Sequence, residues 1–315
     1  MFITCGEALF DIFTGPSEAG DPHGLSMRGV IGGSPLNVAL GLSRMGNRAS
    51  LFTRISNDLF GRNIRAFMKD VDVSDEYCVR TDQQTTLSMI LTGPDGHPDY
   101  SLYTKGTADC SMEMEDMPAE LDPRDQVIHL GSFATALPES GAVLREFAKR
   151  EAGRRFIAFD PNVREIVVPA RQPWFTMMDE MLPIASFVKA SDEDLEFLYP
   201  GQPLDAFLDK ALAAGADIVC VTRGPDGALA RTADGSSVDL PGRKVDVQDT
   251  VGAGDTFQAA CLHFLADQGL AKRGMARQVD LEKMVRFAID AAALTCTRRG
   301  ADLPTLEEID AFRAS

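Results

Sequence analysis

The 315-residue sequence lacks the residue spacings that are typical of disulfide, redox and metal sites. None of its six cysteines belongs to a CxxC pair, and a chain of this length needs no disulfide staples. The four histidines are scattered, with no metal-ligand spacing among them. We therefore expect reduced thiols, mostly in the core, and a cytoplasmic protein.

Long hydrophobic runs and an excess of positive charge are also missing. No apolar run approaches the roughly 18 residues of a membrane span. The opening residues, MFITCGEALFDIF, lack the basic region and cleavage site of a signal peptide, and predict a first strand. Lysine and arginine number 31 against 47 acidic residues, for a formal charge of −16. Such a surface repels nucleic acids and anionic lipid, so we expect neither as a partner.

Three common catalytic motifs are absent as well. Gly41 and Gly46 have the spacing of a P-loop, but Asn47–Arg48 follows where Lys–Ser/Thr is required. No G-x-G-x-x-G follows the first strand, which argues against an NAD-dependent oxidoreductase. No G-x-S-x-G nucleophile elbow is present.

What is present is an alternation of short apolar runs with amphipathic stretches. It predicts an α/β protein with a mainly parallel central sheet and helices on both faces. Helices are predicted from Ser34, where Pro35 is the first helical residue and Gly46 lies past the end, and over 139–151 and 203–214. The predicted strands are Phe2–Cys5, Ser50–Ile55, Gln126–Leu130, Phe156–Phe159, Phe187–Lys189 and Ile218–Val221.

Two segments break this alternation and predict a small antiparallel sheet on one domain that covers residues 1–315. Thr85–Thr92 alternates, GPDG at 93–96 makes a turn, and Asp99–Thr104 returns as a second strand. Residues 8–31 are also strand-like and punctuated by glycine. We place the strands of this lid at about 8–31 and 85–109. The alternative is a surface hairpin without a function.

The segment DTVGAGDTF at 249–257 carries the strongest chemical signal. Gly252, Ala253 and Gly254 predict a tight turn into a helix whose apolar residues recur with helical spacing. Backbone N–H groups at such a helix start form an anion hole for a phosphate. Asp255, at its edge, is able to take a proton from an attacking hydroxyl. The alternative is a glycine turn with Asp255 as an ordinary N-cap.

A second segment, GGSPLNVALGLSRMG at 32–46, is suited to binding a sugar. Gly33 allows close backbone approach, and Asn37 in the first helical turn is able to donate to and accept from a hydroxyl. Taken alone, the segment is more simply a glycine turn and a polar helix face. Polar residues also end several predicted strands, where open parallel sheets bind their ligands; they are Ser132, Asp160, Lys189 and Thr222–Arg223.

Together the two segments resemble the signatures of the ribokinase-like (PfkB) carbohydrate kinases. GEALFDI at 6–12, FDPNVR at 159–164, KASDEDL at 189–195 and VTRGPDGAL at 221–229 follow in the family's order, so the resemblance spans nearly the whole chain. It implies a ribokinase-like three-layer sandwich and transfer of the γ-phosphate of ATP, with Mg²⁺, to a sugar hydroxyl. DPNVR and KASDED resemble the fructokinase and 2-keto-3-deoxygluconate kinase branch.

The resemblance also implies a role for each matching residue. Asp255 is the implied base, and Gly252, Ala253 and Gly254 form the implied anion hole. The implied sugar contacts are Asp11, Gly33, Asn37 and Asp160, with Tyr103, Lys105 and Arg164 at the far end of the sugar. The implied nucleotide contacts are Lys189, Thr222, Gly224 and Gly227.

Metal contacts are implied at two places. The family's N-x-x-E pattern, tied to Mg²⁺ and phosphate, corresponds to 191–194, where Asp194 replaces the glutamate. K⁺ is implied at carbonyls of Asp249, Val251 and the 296–302 loop. A further departure is Ser56, where the family usually has glycine.

The sugar itself is left open between fructose and 2-keto-3-deoxygluconate. A sugar phosphate would need two or three convergent cations to bind its phosphate group, and the residues implied at the far end of the sugar include only two cations, Lys105 and Arg164. A lysine is a point charge that cannot bind a carboxylate bidentately, which favours fructose. A non-catalytic sugar or nucleotide sensor on this fold is disfavoured because Asp255 and the glycine turn are intact. The edge of the lid is also able to pair with a second copy in a homodimer.

Overall fold

The computed structural model describes residues 1–16, 24–92 and 98–315. Within these ranges the strands are β1 (Phe2–Cys5), β2 (Leu9–Pro16), β3 (Leu25–Gly32), β4 (Ala49–Ser56), β5 (Val73–Ser74), β6 (Cys78–Thr81), β7 (Leu87–Thr92), β8 (Pro98–Tyr103), β9 (Val127–Gly131), β10 (Phe156–Asp160), β11 (Phe187–Ser191), β12 (Ile218–Thr222), β13 (Ala228–Thr232) and β14 (Ser237–Leu240).

The helices of the same ranges are α1 (Ser34–Arg44), α2 (Leu59–Asp70), α3 (Ser132–Ala136), α4 (Pro138–Glu151), α5 (Arg171–Met181), α6 (Asp192–Leu198), α7 (Leu204–Ala214), α8 (Ala253–Asp267), α9 (Leu281–Cys296) and α10 (Leu306–Ala314). No helix in the described part of the chain is both long and apolar enough to cross a bilayer.

The main sheet has the strand order β14-β13-β12-β11-β10-β9-β1-β4-β5, and β6 pairs with β4 beyond the end of β5. Pairing is parallel from β12 through to β5 and antiparallel at β12–β13 and β13–β14. All six predicted strands lie in this sheet, and the three predicted helices are α1, α4 and α7. The predicted α/β class with a mainly parallel sheet is confirmed.

Layers of helices cover both faces of the sheet because its central strands are apolar on both sides. Phe2 and Ile3, neighbours on β1, belong to different core clusters, as the alternation of side chains along a strand requires. Phe257 of α8 packs in the cluster of Phe2, and Trp174 of α5 packs in the cluster of Ile3. The result is the predicted three-layer sandwich.

The lid is a separate sheet of four strands in the order β3-β2-β7-β8. Its two hairpins, β2–β3 and β7–β8, are each antiparallel, and the central pair β2–β7 is parallel. The parallel pair arises because both hairpins leave the main sheet with their first strands in the same direction. The predicted turn at 93–96 lies outside the described residues. That residues 1–315 form one domain stays a prediction.

Candidate active site

The anion hole lies where α8 begins. Gly252 has φ 81° and caps the helix, and an added Cβ would lie 2.9 Å from Cβ of Ala301, so only glycine fits here. The Ala253 N–H turns back to the Thr250 carbonyl at 3.2 Å. Among the described residues, the N–H groups of Gly254 and Asp255 have no acceptor. They lie at the positive end of a helix of 15 residues, where an anion is stabilised.

Asp255 is held in place by two side chains from α1. The Ser34 hydroxyl donates to Oδ1 at 2.6 Å, and the Asn37 amide donates to Oδ2 at 2.8 Å. Asp255 as a whole residue is 7% exposed. It makes no capping bond, because the cap position belongs to Gly252, and the ordinary N-cap interpretation is wrong. A carboxylate oxygen has a second lone pair, so each oxygen is still able to accept a substrate hydroxyl.

Small residues bring α1 close enough for these contacts. Gly33 has φ 111°, and an added Cβ would lie 2.5 Å from the Glu7 carbonyl oxygen, between β1 and β2. Further along α1, a Cβ on Gly41 would lie 2.9 Å from Cβ of Ala259 on α8. The close backbone approach that the sequence predicts therefore explains why residue 33 is a glycine. The contact of Gly33 with the sugar stays a prediction.

A buried ammonium lies beside the anion hole. Lys189 lies in the middle of β11, which runs on to Ser191, past the predicted strand end at Lys189. It donates to Asp160 Oδ2, at the end of β10, at 2.7 Å, and each residue is 2% exposed. A Cβ on Gly254 would be 3.2 Å from Lys189 Nζ. Burial works to lower the pKa of Lys189, but the charges of Asp160, Asp194 and Asp255 outweigh it and raise that pKa. Lys189 is therefore a permanent positive charge next to the phosphate site.

The DPNVR segment runs from this ion pair to Arg164, a predicted sugar contact. Asp160 Oδ1 accepts from the Asn162 N–H at 3.1 Å, and Asp194 Oδ1 accepts from the Val163 N–H at 2.6 Å. Arg164 follows at once and is exposed. Within the described structure its one hydrogen bond is to the Val163 carbonyl at 2.9 Å, so most of its guanidinium N–H groups remain available to a ligand.

Asp11 on β2 lies near enough to Arg164 for the charge of Arg164 to act on its carboxyl group. Burial raises the pKa of Asp11, while the Ser88 hydroxyl and the positive charge of Arg164 work against that rise. Asp11 lines an open cleft between the lid and α1 that also contains Asn37 and Asp249. The lid, the helix and the turn before α8 therefore meet around one cavity.

Tyr103 and Lys105 stand apart from this group. Across the lid strands, Tyr103 pairs with Leu87, and Leu87 pairs with Phe10, so these three side chains share one face. Asp11, the residue after Phe10, pairs with Ser88. Successive side chains of a strand alternate between faces, so Tyr103 projects to the lid face opposite Asp11. Tyr103 and Lys105 are both exposed. The structure does not bring them onto the other predicted sugar contacts, and their roles stay predictions.

The predicted nucleotide residues follow the next strand of the sheet. Thr222 ends β12 and lies in register with Ser191 of β11. Gly224 and Gly227 bound a short turn at φ 52° and 89°, and a Cβ on Gly227 would be 2.0 Å from the Leu240 carbonyl oxygen. Thr222 thus lies beside Ser191, two residues beyond Lys189 along the paired strands, and the contacts of Thr222, Gly224 and Gly227 with a nucleotide stay predictions.

The two segments predicted to hold K⁺ are tied to each other. Asp249 Oδ2 accepts from the Gly300 N–H at 2.8 Å, and its Oδ1 accepts from the Val251 N–H at 3.1 Å. The Gln248 N–H donates to the Cys296 carbonyl at 2.8 Å. In the ranges described, no group of three or more His, Cys, Asp and Glu side chains could hold a metal.

Three residues of the site are absent from the predictions. Ser34 had a signal, a serine directly after two glycines at the start of a helix. Glu7 and Asp109 had none; burial raises the pKa of Glu7 to about 7 and that of Asp109 to about 6. One carboxyl oxygen of each, Glu7 Oε2 and Asp109 Oδ2, has no hydrogen-bond partner among the described residues.

Comparison with known proteins agrees with this arrangement. Residues 4–308 match the model of the pfkB family carbohydrate kinases. A fructokinase from Rhizobium leguminosarum bv. trifolii is 31% identical over 277 residues, which cover 88% of this chain and 83% of the other.

Two crystal structures superpose over 99% of the chain. A fructokinase from Xylella fastidiosa with bound ATP gives a TM-score of 0.89 over 98% of its own chain, at 23% identity that supports the fold alone. A fructokinase double mutant from Vibrio cholerae O395, with fructose, ADP and a potassium ion bound, gives 0.83 over 97% of its chain at 26% identity. The chain therefore belongs to the pfkB family of carbohydrate kinases, and it is a phosphotransferase that acts on a sugar hydroxyl.

Proposed function

We propose that this protein is a fructokinase that transfers the γ-phosphate of ATP to a hydroxyl of fructose, with Asp255 as the general base. One observation carries the proposal. The Asp255 carboxylate, fixed by Ser34 and Asn37, lies at a helix start where the N–H groups of Gly254 and Asp255 have no acceptor among the described residues. Base and anion site are therefore neighbours.

The residues perform the transfer as follows. The sugar hydroxyl donates its proton to an Asp255 oxygen, and the hydroxyl oxygen attacks the γ-phosphorus as the bond to the ADP oxygen breaks. The N–H groups of Gly254 and Asp255 donate to the transferring phosphoryl group, and the ammonium of Lys189 lies beside them. Lid closure over the sugar would exclude water and limit ATP hydrolysis.

Mg²⁺ is the proposed divalent ion, and it would arrive with the phosphates of ATP, as this hard cation commonly does. The Asp194 carboxylate does not fit a contact with it, because the residue is 5% exposed and its two oxygens are held in place by two separate backbone N–H groups. No step of the transfer is therefore assigned to Asp194.

K⁺ is the proposed monovalent ion, bound by carbonyls of Asp249, Val251 and the 296–302 loop. The hydrogen bonds of Asp249 and Gln248 support it, because they hold both segments together beside the start of α8. The Vibrio cholerae fructokinase, a relative by structure, has a potassium ion bound. We expect moderate activation by K⁺ over Na⁺.

Fructose is favoured over a sugar acid by the charges at the sugar end. Arg164 faces the carboxylates of Asp11 and Glu7, and its charge lowers the pKa of both against the larger effect of burial. A substrate carboxylate at Arg164 would therefore compete with the Asp11 carboxylate for the one positive group there. The relative from Rhizobium leguminosarum is itself a fructokinase.

The test compares kcat/KM for fructose and 2-keto-3-deoxygluconate in the wild type, in Lys105→Met and in the control Lys69→Met, an exposed lysine on α2. We expect a strong preference for fructose and a modest loss in Lys105→Met. A preference for the keto acid that collapses only in Lys105→Met would reverse the assignment. Absence of ADP release with any sugar would support a sensor instead.

A homodimer through the lid is the proposed assembly, and the cytoplasm is the proposed compartment, in keeping with six cysteines that form no disulfide. Leu25, Met27 and Leu91 are exposed at the outer end of the lid, and β3 is an edge strand. Met27→Glu should convert a dimer to a monomer in sedimentation, whereas Leu59→Glu on α2 should not. A monomeric wild type at micromolar concentration would contradict the dimer.

A further inference from the structure

We propose that Asp194 is a positioning residue for the segment 160–164, which carries the sugar-binding Arg164, and that it does not act on the metal. The inference rests on the proposed function, because it concerns how that site holds its sugar. It departs from the role that the family resemblance implies, where a glutamate at this position is tied to Mg²⁺ and phosphate.

The Asp194 carboxylate joins two parts of the backbone. Oδ2 accepts from the Ser191 N–H at 2.8 Å, and the Ser191 hydroxyl accepts from the Asp194 N–H at 3.0 Å, which closes a capping box at the start of α6. Oδ1 accepts from the Val163 N–H at 2.6 Å, 31 residues away in the sequence. One buried side chain thus fastens the residue before Arg164 to the start of a helix.

A second carboxylate holds the same segment from the other side. Asp160 Oδ1 accepts from the Asn162 N–H at 3.1 Å, and Asp160 Oδ2 is fixed by Lys189 at 2.7 Å. Asn162 itself has φ 40°, a conformation that costs a non-glycine residue energy and persists only where the surroundings impose it. The backbone of both residues that precede Arg164 is therefore held by buried carboxylates.

The same contacts leave Asp194 poorly suited to a metal-bound water. Its side chain is one methylene shorter than glutamate, and the residue is 5% exposed. Moving the carboxylate toward a metal would leave two partly buried backbone N–H groups without their acceptor, which is unfavourable. The carboxylate is more stable where it lies.

Loss of this contact should therefore affect the sugar more than the nucleotide. Arg164 makes a single hydrogen bond to the protein in the described structure, so its position depends on the backbone that carries it. Lys189 and the start of α8 are held by other contacts, to Asp160 and to Ser34 and Asn37, and would remain in place.

The test is the isosteric change Asp194→Asn, in which the amide nitrogen faces one of the two N–H donors and cannot accept. We expect KM for fructose to rise about tenfold, in line with the loss of one hydrogen bond to a charged group. KM for MgATP and the Mg²⁺ concentration for half activation should stay within about twofold. Asp280→Asn, which alters a cap carboxylate that contacts only its own helix α9, is the control and should match the wild type.

Asp194→Glu is the second variant, and restores the residue that the family usually has. Glutamate is able to keep the capping bond to Ser191 but is too long for the present contact with Val163. We expect it too to raise KM for fructose. The proposal would be overturned if either variant raised the Mg²⁺ requirement or KM for MgATP and left KM for fructose unchanged. Equal changes in all three quantities would also overturn it.

Hydrogen exchange separates this inference from the proposed function, because it needs no turnover. Deuterium uptake over 161–166 should rise in Asp194→Asn and not in Asp280→Asn. Unchanged uptake there in a folded Asp194→Asn protein overturns the positioning role. Inactivity of the wild type with every sugar, alongside the expected exchange, would instead count against the proposed function.

Discussion

Replacement of Ser34 by alanine should slow catalysis without loss of the fold. The hydroxyl donates to Asp255 Oδ1 at 2.6 Å, and hydrogen bonds to charged groups contribute about 1.5–3 kcal/mol. If all of that stabilisation acted on the orientation of the base in the transition state, kcat would fall about 10- to 100-fold. Asn37 still holds the other oxygen at 2.8 Å, so we expect the lower limit, about tenfold.

The assay is ADP release at saturating fructose and MgATP, with ATP binding measured separately by calorimetry. Ser43→Ala is the matched control, because Ser43 lies on the same helix and its hydroxyl donates to the Val71 carbonyl, away from Asp255. Ser34→Ala should lose turnover and keep its ATP affinity, and Ser43→Ala should keep both. Equal kcat values for Ser34→Ala and the wild type would refute the role of Ser34 in orienting the base.

Three further predictions concern pH, the anion hole and cations. Burial raises the pKa of Glu7 from 4.5 to about 7, so wild-type stability should fall as pH rises through this range. In urea titrations between pH 4 and 8 the wild type should lose about 3 kcal/mol more than Glu7→Gln, and the control Glu146→Gln, which changes an exposed position and keeps Glu7, should lose as much as the wild type. Gly254→Ala would place a methyl 3.2 Å from Lys189 Nζ, and kcat should fall about tenfold with unchanged thermal stability; a fully active variant would contradict the close packing. Rates should be higher in K⁺ than in Na⁺ at matched ionic strength, and equal rates would count against the cation site.

Local patterns in the sequence were sufficient for most of the fold. The apolar runs at 2–5 and 156–159 are buried central strands. Helices cover both faces of a parallel sheet, so its central strands are apolar throughout, and such runs are easy to recognise in a sequence. The pairing of the lid strands was harder to predict. Each hairpin has local turn signals, but the parallel contact between β2 and β7 joins residues 77 positions apart, such as Phe10 and Leu87. Only tertiary structure decides such a contact.

In the site too, residues with local sequence signals were predicted, and contacts between distant parts of the chain were not. Asp255 and the turn at 252–254 were predicted because a helix start and its glycines are local features. Ser34 was not, because its bond to Asp255 spans 221 residues. The place of Lys189 beside Gly254 also depends on how β11 and α8 pack. Polar residues at strand ends indicated the edge of the sheet, but not which of them would touch.

The most direct test of the account is turnover by Asp255→Asn. The amide has the shape of the carboxylate but cannot serve as a base, so the variant should fold, bind ATP with wild-type affinity and lose about 10²–10⁴ in kcat. Turnover measured as ADP release with fructose should therefore nearly vanish while calorimetric ATP binding persists. Near-wild-type turnover in Asp255→Asn would contradict the assignment of Asp255 as the base.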